Sequence, residues 1–175
     1  MTNIILCGFK GSGKSTLGKA IADEIGYSFV DTDHLIAKDC KDFYQKFGES
    51  AFRQAEKKAI SSLHTLQKTV VATGGGSILD PDNVVVFKKI GVVIYLKEEK
   101  TLIKNRLLKE PYPAFFLGKD LEREFEEMYA RRKGLYERVA GHIAHSEKDV
   151  WEVIHLELFC KSRHGESLMA KQWEL

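Results

Sequence analysis

The sequence predicts an α/β fold in which helices cover both faces of a parallel sheet. Short runs of β-branched and other apolar residues alternate along the chain with longer segments of helical period, an order typical of a parallel sheet. The short runs are continuously apolar, as strands buried on both faces require. The 175 residues contain no repeat and no low-complexity linker. We therefore expect a single domain over residues 1–160, with a tail over 161–175 of unknown role.

In the first half of the chain, apolar runs over residues 4–7, 29–30 and 69–72 predict three strands. Residues 14–25 and 50–66 carry apolar side chains at helical spacing, which predicts two helices. This half therefore alternates strand, helix, strand, helix, strand.

In the second half, Pro81 and Gly91 bound a predicted helix, because proline suits the first turn of a helix and glycine its end. A strand is predicted over 92–96, and helices over 98–109 and 121–139. A weak fifth strand and a last helix follow, over residues 142–144 and 148–160.

The segment 110–120 differs in composition from the charged helices on either side of it. It contains Pro111 and Pro113, followed by Phe115 and Phe116. We interpret it as a mobile lid, because such a segment can swing over a site and exclude water.

Charge and cysteine content exclude several classes of protein. The chain has 27 basic and 25 acidic residues, which gives no general electrostatic case for binding nucleic acid. Cys7, Cys40 and Cys160 are widely spaced and form no CxxC pair, so a disulfide framework or zinc site is not expected. No apolar run is long enough to span a bilayer. We expect a cytoplasmic monomer without membrane or nucleic-acid partners.

The strongest motif is Gly8-Phe-Lys-Gly-Ser-Gly-Lys14-Ser15, which matches the phosphate-binding loop G-x-x-x-x-G-K-[ST]. Its glycines let backbone N–H groups surround an anion, and the following helix directs its positive end to the same place. Lys14 is expected to reach the β- and γ-phosphates of ATP, and the Ser15 hydroxyl to bind Mg²⁺. A glycine-rich turn is the alternative, which the flanking strand and helix disfavour. The candidate nucleotide-binding residues are Gly11, Ser12, Gly13, Lys14, Ser15 and Thr16.

Two carboxylates follow the second predicted strand, at Asp31 and Asp33. Ligands of open α/β sheets bind at the carboxyl ends of the strands. One carboxylate could hold magnesium through water while the other binds a hydroxyl acceptor. The alternative is a surface turn in which Asp33 caps a helix beginning at His34.

A glycine triplet and several arginines complete the set of candidates. Gly74, Gly75 and Gly76 follow the third strand, where glycine allows close approach of a substrate or simply a turn. Arginine binds two oxygens of a carboxylate or phosphate at once, although each arginine could equally lie on a solvated helix face. The arginines considered are Arg53, Arg106, Arg131 and Arg132.

Taken in order, these motifs resemble the shikimate kinase family over about residues 1–145. The resemblance implies a three-layer P-loop kinase fold with a five-stranded parallel sheet, a substrate-binding segment over 34–60 and a lid over 110–120. It implies transfer of the γ-phosphoryl group of ATP to the 3-hydroxyl of shikimate, with Mg²⁺. The matching motifs are Gly8–Thr16, Asp31-Thr-Asp33, Gly48-Glu-x-x-Phe52-Arg53, Gly74-Gly75-Gly76 and Arg132-x-x-Leu135-Tyr136.

The same resemblance implies roles for individual residues. Asp33 would hold the substrate hydroxyls and orient or deprotonate the attacking one. Arg53 and Arg132 would clamp the shikimate carboxylate, with help from the glycine triplet through the Gly75 backbone. Asp31 would support Mg²⁺ indirectly, and Arg106 would lie against the adenine.

The chain departs from the family pattern at three positions. Tyr112 precedes Pro113 where the family lid usually has arginine, which leaves Lys109 and Lys119 as the nearest candidates for a lid cation. Gly134 stands where proline is usual, and Lys10 occupies a loop position that is commonly apolar.

Two other functions are compatible with the phosphate-binding loop. One is a different small-molecule kinase, for gluconate or a nucleotide, from which the two clamp arginines would distinguish this chain. The other is a nucleotide-binding regulatory module that has lost catalysis, which only Tyr112 favours. A GTPase is disfavoured because the sequence has no Asn-Lys-x-Asp motif.

Overall fold

The computed structural model describes residues 2–109, 112–116 and 120–160, with backbone alone at 159 and 160. Lys119 and the tail over 161–175 therefore lie outside the described residues. The strands are β1 (Asn3–Cys7), β2 (Ser28–Asp31), β3 (Thr69–Ala72), β4 (Gly91–Leu96) and β5 (His142–Ala144).

All five strands pair in parallel in the order β2-β3-β1-β4-β5, which confirms the predicted α/β fold. Within β1, Ile5 lies opposite Val71 of β3 on one side and Val93 of β4 on the other. The chain leaves β1 toward β2 and β3 and later returns to add β4 on the opposite side. The strand order thus reverses at β1, and such a reversal opens a crevice at the carboxyl ends of the strands.

Helices cover both faces of the sheet, and alternate residues of the strands face two separate apolar layers. The helices are α1 (Lys14–Ile25), α2 (Thr32–Ile36), α3 (Cys40–Ser61), α4 (Pro81–Ile90), α5 (Lys100–Leu107), α6 (Leu121–Val139) and α7 (Glu147–Ile154). Ile4 and Leu6 pack with Ile21 of α1 and Ile154 of α7. On the opposite face of the sheet, Ile5 packs with residues of α3, α4, α5 and α6.

The structure differs from the predicted elements mainly in the region after β2. The helix predicted over 50–66 begins ten residues earlier, at Cys40, and continues across a kink at Gly48, where φ is 79°. The prediction began only after Gly48, because glycine disfavours the interior of a helix. The helix considered from His34 begins instead at Thr32, and its cap is Asp31 rather than Asp33.

The other boundaries differ by a few residues. The helix predicted over 98–109 spans only Lys100–Leu107. The last helix begins at Glu147, where Ser146 and Asp149 form a capping box, and continues beyond Ile154 as a π-helical turn over His155–Cys160.

Candidate active site

The phosphate-binding loop connects β1 to α1 and is shaped by its own backbone. The amide of Ser12 donates to the Phe9 carbonyl at 3.1 Å, and Gly13 adopts left-handed geometry with φ of 92° directly before α1. The Lys14 ammonium donates to the carbonyls of Gly8 and Phe9 at 2.9 and 2.7 Å. Burial lowers the pKa of Lys14 to about 8. The loop therefore holds a desolvated ammonium at the N-terminus of a helix, where an anion is favoured.

Ser15 and Asp31 form a pair of oxygen ligands beside this loop. The Ser15 hydroxyl donates to Oδ2 of Asp31 at 2.6 Å. The other carboxylate oxygen of Asp31 accepts from the Asp33 amide at 3.0 Å and caps α2. The Asp31 carboxylate is thus fixed by two contacts, with an oxygen directed at the loop serine.

Asp33 lies in the first turn of α2 and faces the loop after β3. Burial raises the pKa of Asp33, the charge of Asp31 raises it further, and Lys10 and Lys14 oppose the rise. A β-carbon at Gly74 would lie 2.5 Å from Oδ1 of Asp33. The glycine is therefore needed for the carboxylate to occupy this position.

Arg53 projects from α3 and is held by a buried acid. Its NH1 group donates to Oε2 of Glu56 at 2.6 Å, and Oε1 of Glu56 accepts from the Ser77 hydroxyl at 2.8 Å. Glu56 is 1% exposed. A β-carbon at Gly76 would lie 2.5 Å from the same NH1 group, so the guanidinium packs directly on this backbone.

Sequence analysis did not identify Glu56 as part of the site. The available signal was its spacing, four residues after Phe52 on the apolar side of a helix, where an unpaired acid would be costly. Its partner Ser77 is distant in sequence and gave no signal.

Arg132 comes from α6 and is 6% exposed. Its NH1 group donates to the Gly75 carbonyl at 3.1 Å, and the Tyr136 hydroxyl donates to the same oxygen. Its Nε is buried and has no hydrogen-bond partner among the described residues. Burial lowers the pKa of Arg132, and the nearby charge of Arg53 lowers it further. The charge of Arg53 therefore reaches Arg132, and an anion bound between the two guanidinium groups would offset their repulsion.

The adjacent arginine does not join this group, since Arg131 is exposed. Arg106 lies on the opposite side of the phosphate-binding loop, where NH1 donates to the Gly11 carbonyl at 2.6 Å and pairs with Glu98 at 3.2 Å. Its side chain is exposed and borders the nucleotide loop, on which an adenine ring could rest.

In the segment predicted to be a lid, the described residues 112–116 contact α3 and Arg132. The turn Ala114–Phe116 packs against α3, and Phe116 is buried. The Arg132 guanidinium lies 5.9 Å from the centre of the Phe115 ring, a cation–π contact. Lys109 is exposed. An aromatic ring thus joins this segment to Arg132.

Together these residues make a crevice with an anion-binding loop, two carboxylates and two converging arginines. Such a set can bind a polyphosphate at one end and an anionic hydroxy compound at the other. No cluster of three His, Cys, Asp or Glu side chains suited to a metal ion occurs among the described residues. Nor does the described part of the chain contain a helix long and apolar enough to cross a membrane.

Comparisons with known proteins agree with one another. The family model for shikimate kinase matches residues 10–159. A shikimate kinase of Caldanaerobacter subterraneus subsp. tengcongensis is 36% identical over 157 residues, 87% of this chain and 92% of the relative. A Clostridium botulinum shikimate kinase is 35% identical over an alignment of 184 positions that covers 99% of each chain.

The solved structure of a shikimate kinase from Acinetobacter baumannii in complex with shikimate is similar in fold. It superposes with a TM-score of 0.82 at 28% identity, covering 92% of this chain and 95% of the other. A Bacteroides thetaiotaomicron shikimate kinase, with a TM-score of 0.76 and 24% identity, shows the same fold.

Proposed function

This chain belongs to the shikimate kinase family, and we propose that it transfers the γ-phosphoryl group of ATP to the 3-hydroxyl of shikimate. The products are ADP and shikimate 3-phosphate. The reaction needs a polyphosphate site, a group that accepts a hydroxyl proton and a site for one carboxylate. The crevice at the carboxyl edge of the sheet offers all three.

The observation that best supports this substrate is the pair of arginines beside Asp33. Arg132 carries a buried Nε without a partner among the described residues, and the charge of Arg53 lowers the pKa of Arg132 beyond the effect of burial. A carboxylate between them would supply the missing acceptor and relieve the repulsion. Neutral polyols and nucleosides have no group that would do this.

For ATP, we assign the phosphates to the loop over residues 8–16. Backbone N–H groups of the loop and the N-terminus of α1 would face the phosphate oxygens. Lys14 would exchange its contacts with the Gly8 and Phe9 carbonyls for the β- and γ-phosphates. Arg106, at the outer side of the loop, would border the adenine.

Mg²⁺ fits the paired oxygens of Ser15 and Asp31, since hydroxyl and carboxylate oxygens are ligands that this ion prefers. The Ser15 hydroxyl would bind the ion, and Asp31 would support it through the hydrogen bond it already makes. When bound, Mg²⁺ would neutralise charge on the phosphates of the nucleotide.

Asp33 would act on the acceptor. Its carboxylate takes the proton of the attacking 3-hydroxyl as the new oxygen–phosphorus bond forms and the bond to the β-phosphate oxygen breaks. Burial raises the pKa of Asp33, which makes it a better proton acceptor than an exposed aspartate. Positioning of the hydroxyl by the clamp contributes further, because phosphoryl transfer depends on alignment and electrostatics.

The substrate is tested by removing each clamp arginine in turn. Arg53→Ala and Arg132→Ala should each raise the Michaelis constant for shikimate by about tenfold or more, because each removes a charge-assisted contact. Arg131→Ala is the matched control, since Arg131 is exposed and adjacent in sequence. For a shikimate analogue without the carboxylate, both clamp variants should match the parent enzyme. A parent enzyme that used this analogue as well as shikimate would contradict the clamp.

The proposal extends to the setting in which the enzyme works. We propose that residues 1–160 act as one monomeric unit, with no nucleic-acid or membrane partner. The thiols of Cys7 and Cys40 are free, which suits the reducing cytoplasm.

A further inference from the structure

Lys10 is a second lysine of the phosphate-binding loop, and its backbone lies where the nucleotide and acceptor halves meet. It follows Phe9, which is 1% exposed, yet its own side chain is exposed. A β-carbon at Gly75 would lie 2.9 Å from the Lys10 amide nitrogen. The loop thus packs on the backbone whose carbonyl accepts hydrogen bonds from Arg132 and Tyr136.

The charge of Lys10 acts on three groups, Asp33, Lys14 and Cys40. It opposes the rise that burial and Asp31 cause in the pKa of Asp33. Burial lowers the pKa of Lys14, and Lys10 lowers it further. Burial also raises the pKa of the Cys40 thiol to about 11, against the effect of Lys10. That thiol donates to the Asp33 carbonyl at 3.1 Å, so Cys40 and Asp33 lie together within reach of the Lys10 charge.

The two lysines of the loop differ in how their ammonium groups are held. Lys14 is buried and donates to carbonyls of its own loop. Lys10, by contrast, makes no hydrogen bond or ion pair within residues 2–109, 112–116 and 120–160, and its side chain is exposed. The Lys10 ammonium thus has no partner among the described residues, and its charge acts on both Asp33 and Lys14. It is available to a ligand that enters between these two groups.

We propose that Lys10 is a catalytic residue that contacts the transferred phosphoryl group from the acceptor side. This rests on the proposed function, because the group that passes between Lys14 and Asp33 is then the γ-phosphoryl of ATP. Its three outer oxygens carry negative charge throughout the transfer. A lysine supplies a compact charge on a flexible stem, which can follow these oxygens from ATP to the shikimate hydroxyl.

In this role, Lys10 should strengthen binding of the phosphorylated product but not of the substrate. Shikimate carries no charge at its 3-hydroxyl, whereas shikimate 3-phosphate places a dianion there. Loss of the Lys10 charge should therefore weaken binding of the product and slow the transfer, but leave binding of shikimate itself nearly unchanged.

The experiment compares Lys10→Met, Lys10→Arg and the parent enzyme, with Lys19→Met as control because Lys19 is an exposed lysine of α1. Calorimetry gives the dissociation constants of ADP, shikimate and shikimate 3-phosphate, and a coupled assay gives kcat. For Lys10→Met we expect kcat and product affinity each to fall about tenfold or more. Shikimate and ADP affinities should stay within about twofold of the parent value. Lys10→Arg should keep most of the parent kcat and most of the affinity for shikimate 3-phosphate, because it keeps the charge.

Three results would overturn the inference. One is an unchanged kcat and product affinity in Lys10→Met, which would leave Lys10 a solvated loop lysine. Another is an equal loss of shikimate and product affinity, which would indicate a general effect on the pocket. The third is a Lys10→Arg variant as impaired as Lys10→Met.

Two further readouts keep the outcomes distinct. Unchanged ADP affinity in the Lys10 variants verifies that the loop is folded. A parent enzyme that is inactive on shikimate would refute the proposed function instead.

Discussion

The buried ammonium of Lys14 makes nucleotide binding depend on pH in an unusual range. Burial lowers its pKa to about 8 from the ordinary 10.5, and only the charged form neutralises phosphate. ADP affinity should therefore be full below pH 8 and weaken as pH rises, by about tenfold for each unit above that pKa. Calorimetric titration of ADP from pH 7 to 9.5 measures this. Lys14→Met should bind weakly with no such trend, and a flat profile in the parent enzyme would contradict the shift.

The proposed roles of Asp33 and Asp31 differ, so that substitution of each should change a different kinetic quantity. Asp33→Asn keeps the shape of the side chain but cannot accept a proton, so kcat should fall by about 10²–10⁴ with little change in ATP affinity. Asp31→Asn should instead weaken binding of the ATP–magnesium complex, since Asp31 contacts Ser15. Steady-state kinetics with varied ATP and magnesium distinguish the two. A collapse of ATP affinity in Asp33→Asn would mean that the two roles are reversed.

At the scale of elements, α3 is kinked at Gly48, within the segment 34–60 that we propose binds the substrate. Gly48 has φ of 79° and ψ of 176° inside this helix, a geometry that costs other residues roughly 1–3 kcal/mol. Gly48→Ala should therefore lower the free energy of unfolding by about that amount and raise the Michaelis constant for shikimate. Gly134→Ala is the control, because Gly134 lies within α6. A β-carbon added there would lie 3.3 Å from NH1 of the flexible Arg138 side chain. Denaturant unfolding should show Gly134→Ala unchanged or more stable.

If both alanine variants proved equally stable, the kink would carry no strain for a β-carbon, and α3 could straighten without loss. The fold would then not require glycine at position 48.

Elements with a clear period were predictable, and those with conflicting local signals were not. The bounds of α1, β3, α6 and β5 are as predicted, because apolar spacing and end signals agree there. The first half of α3 is not predicted because glycine disfavours the interior of a helix, and Gly48 lies at a kink inside this one. Sequence leaves the start of α2 open because both Asp31 and Asp33 are good caps, and only the contact from Asp31 to the Asp33 amide decides between them.

The candidate site was predictable in its members but not in its geometry. The loop, the aspartates, the glycine triplet and the arginines all stand in motifs that sequence alone reveals. Each glycine of the triplet, however, has its own neighbour, Asp33 at Gly74 and Arg53 at Gly76, and nothing local predicts these pairings. Glu56 and the free Nε of Arg132 likewise depend on contacts between residues distant in sequence.

For the whole molecule, the fold brings together segments that are far apart along the chain. The loop after β3 is tied to α2 through the Gly74 amide and the Thr32 hydroxyl at 2.8 Å, and to α6 through Arg132 and the Gly75 carbonyl. The phosphate-binding loop packs on the same glycines. The proposed nucleotide and acceptor sites would therefore share one backbone segment, so that small movements of it would affect both.

The most direct test is a coupled assay of ADP release by the full chain with ATP, Mg²⁺ and shikimate, in parallel with gluconate and a panel of nucleosides. We expect one ADP for each shikimate consumed, with the phosphate found on the 3-hydroxyl by NMR and only background release with the other acceptors. ADP release that shikimate does not increase, while gluconate or a nucleoside does, would contradict it.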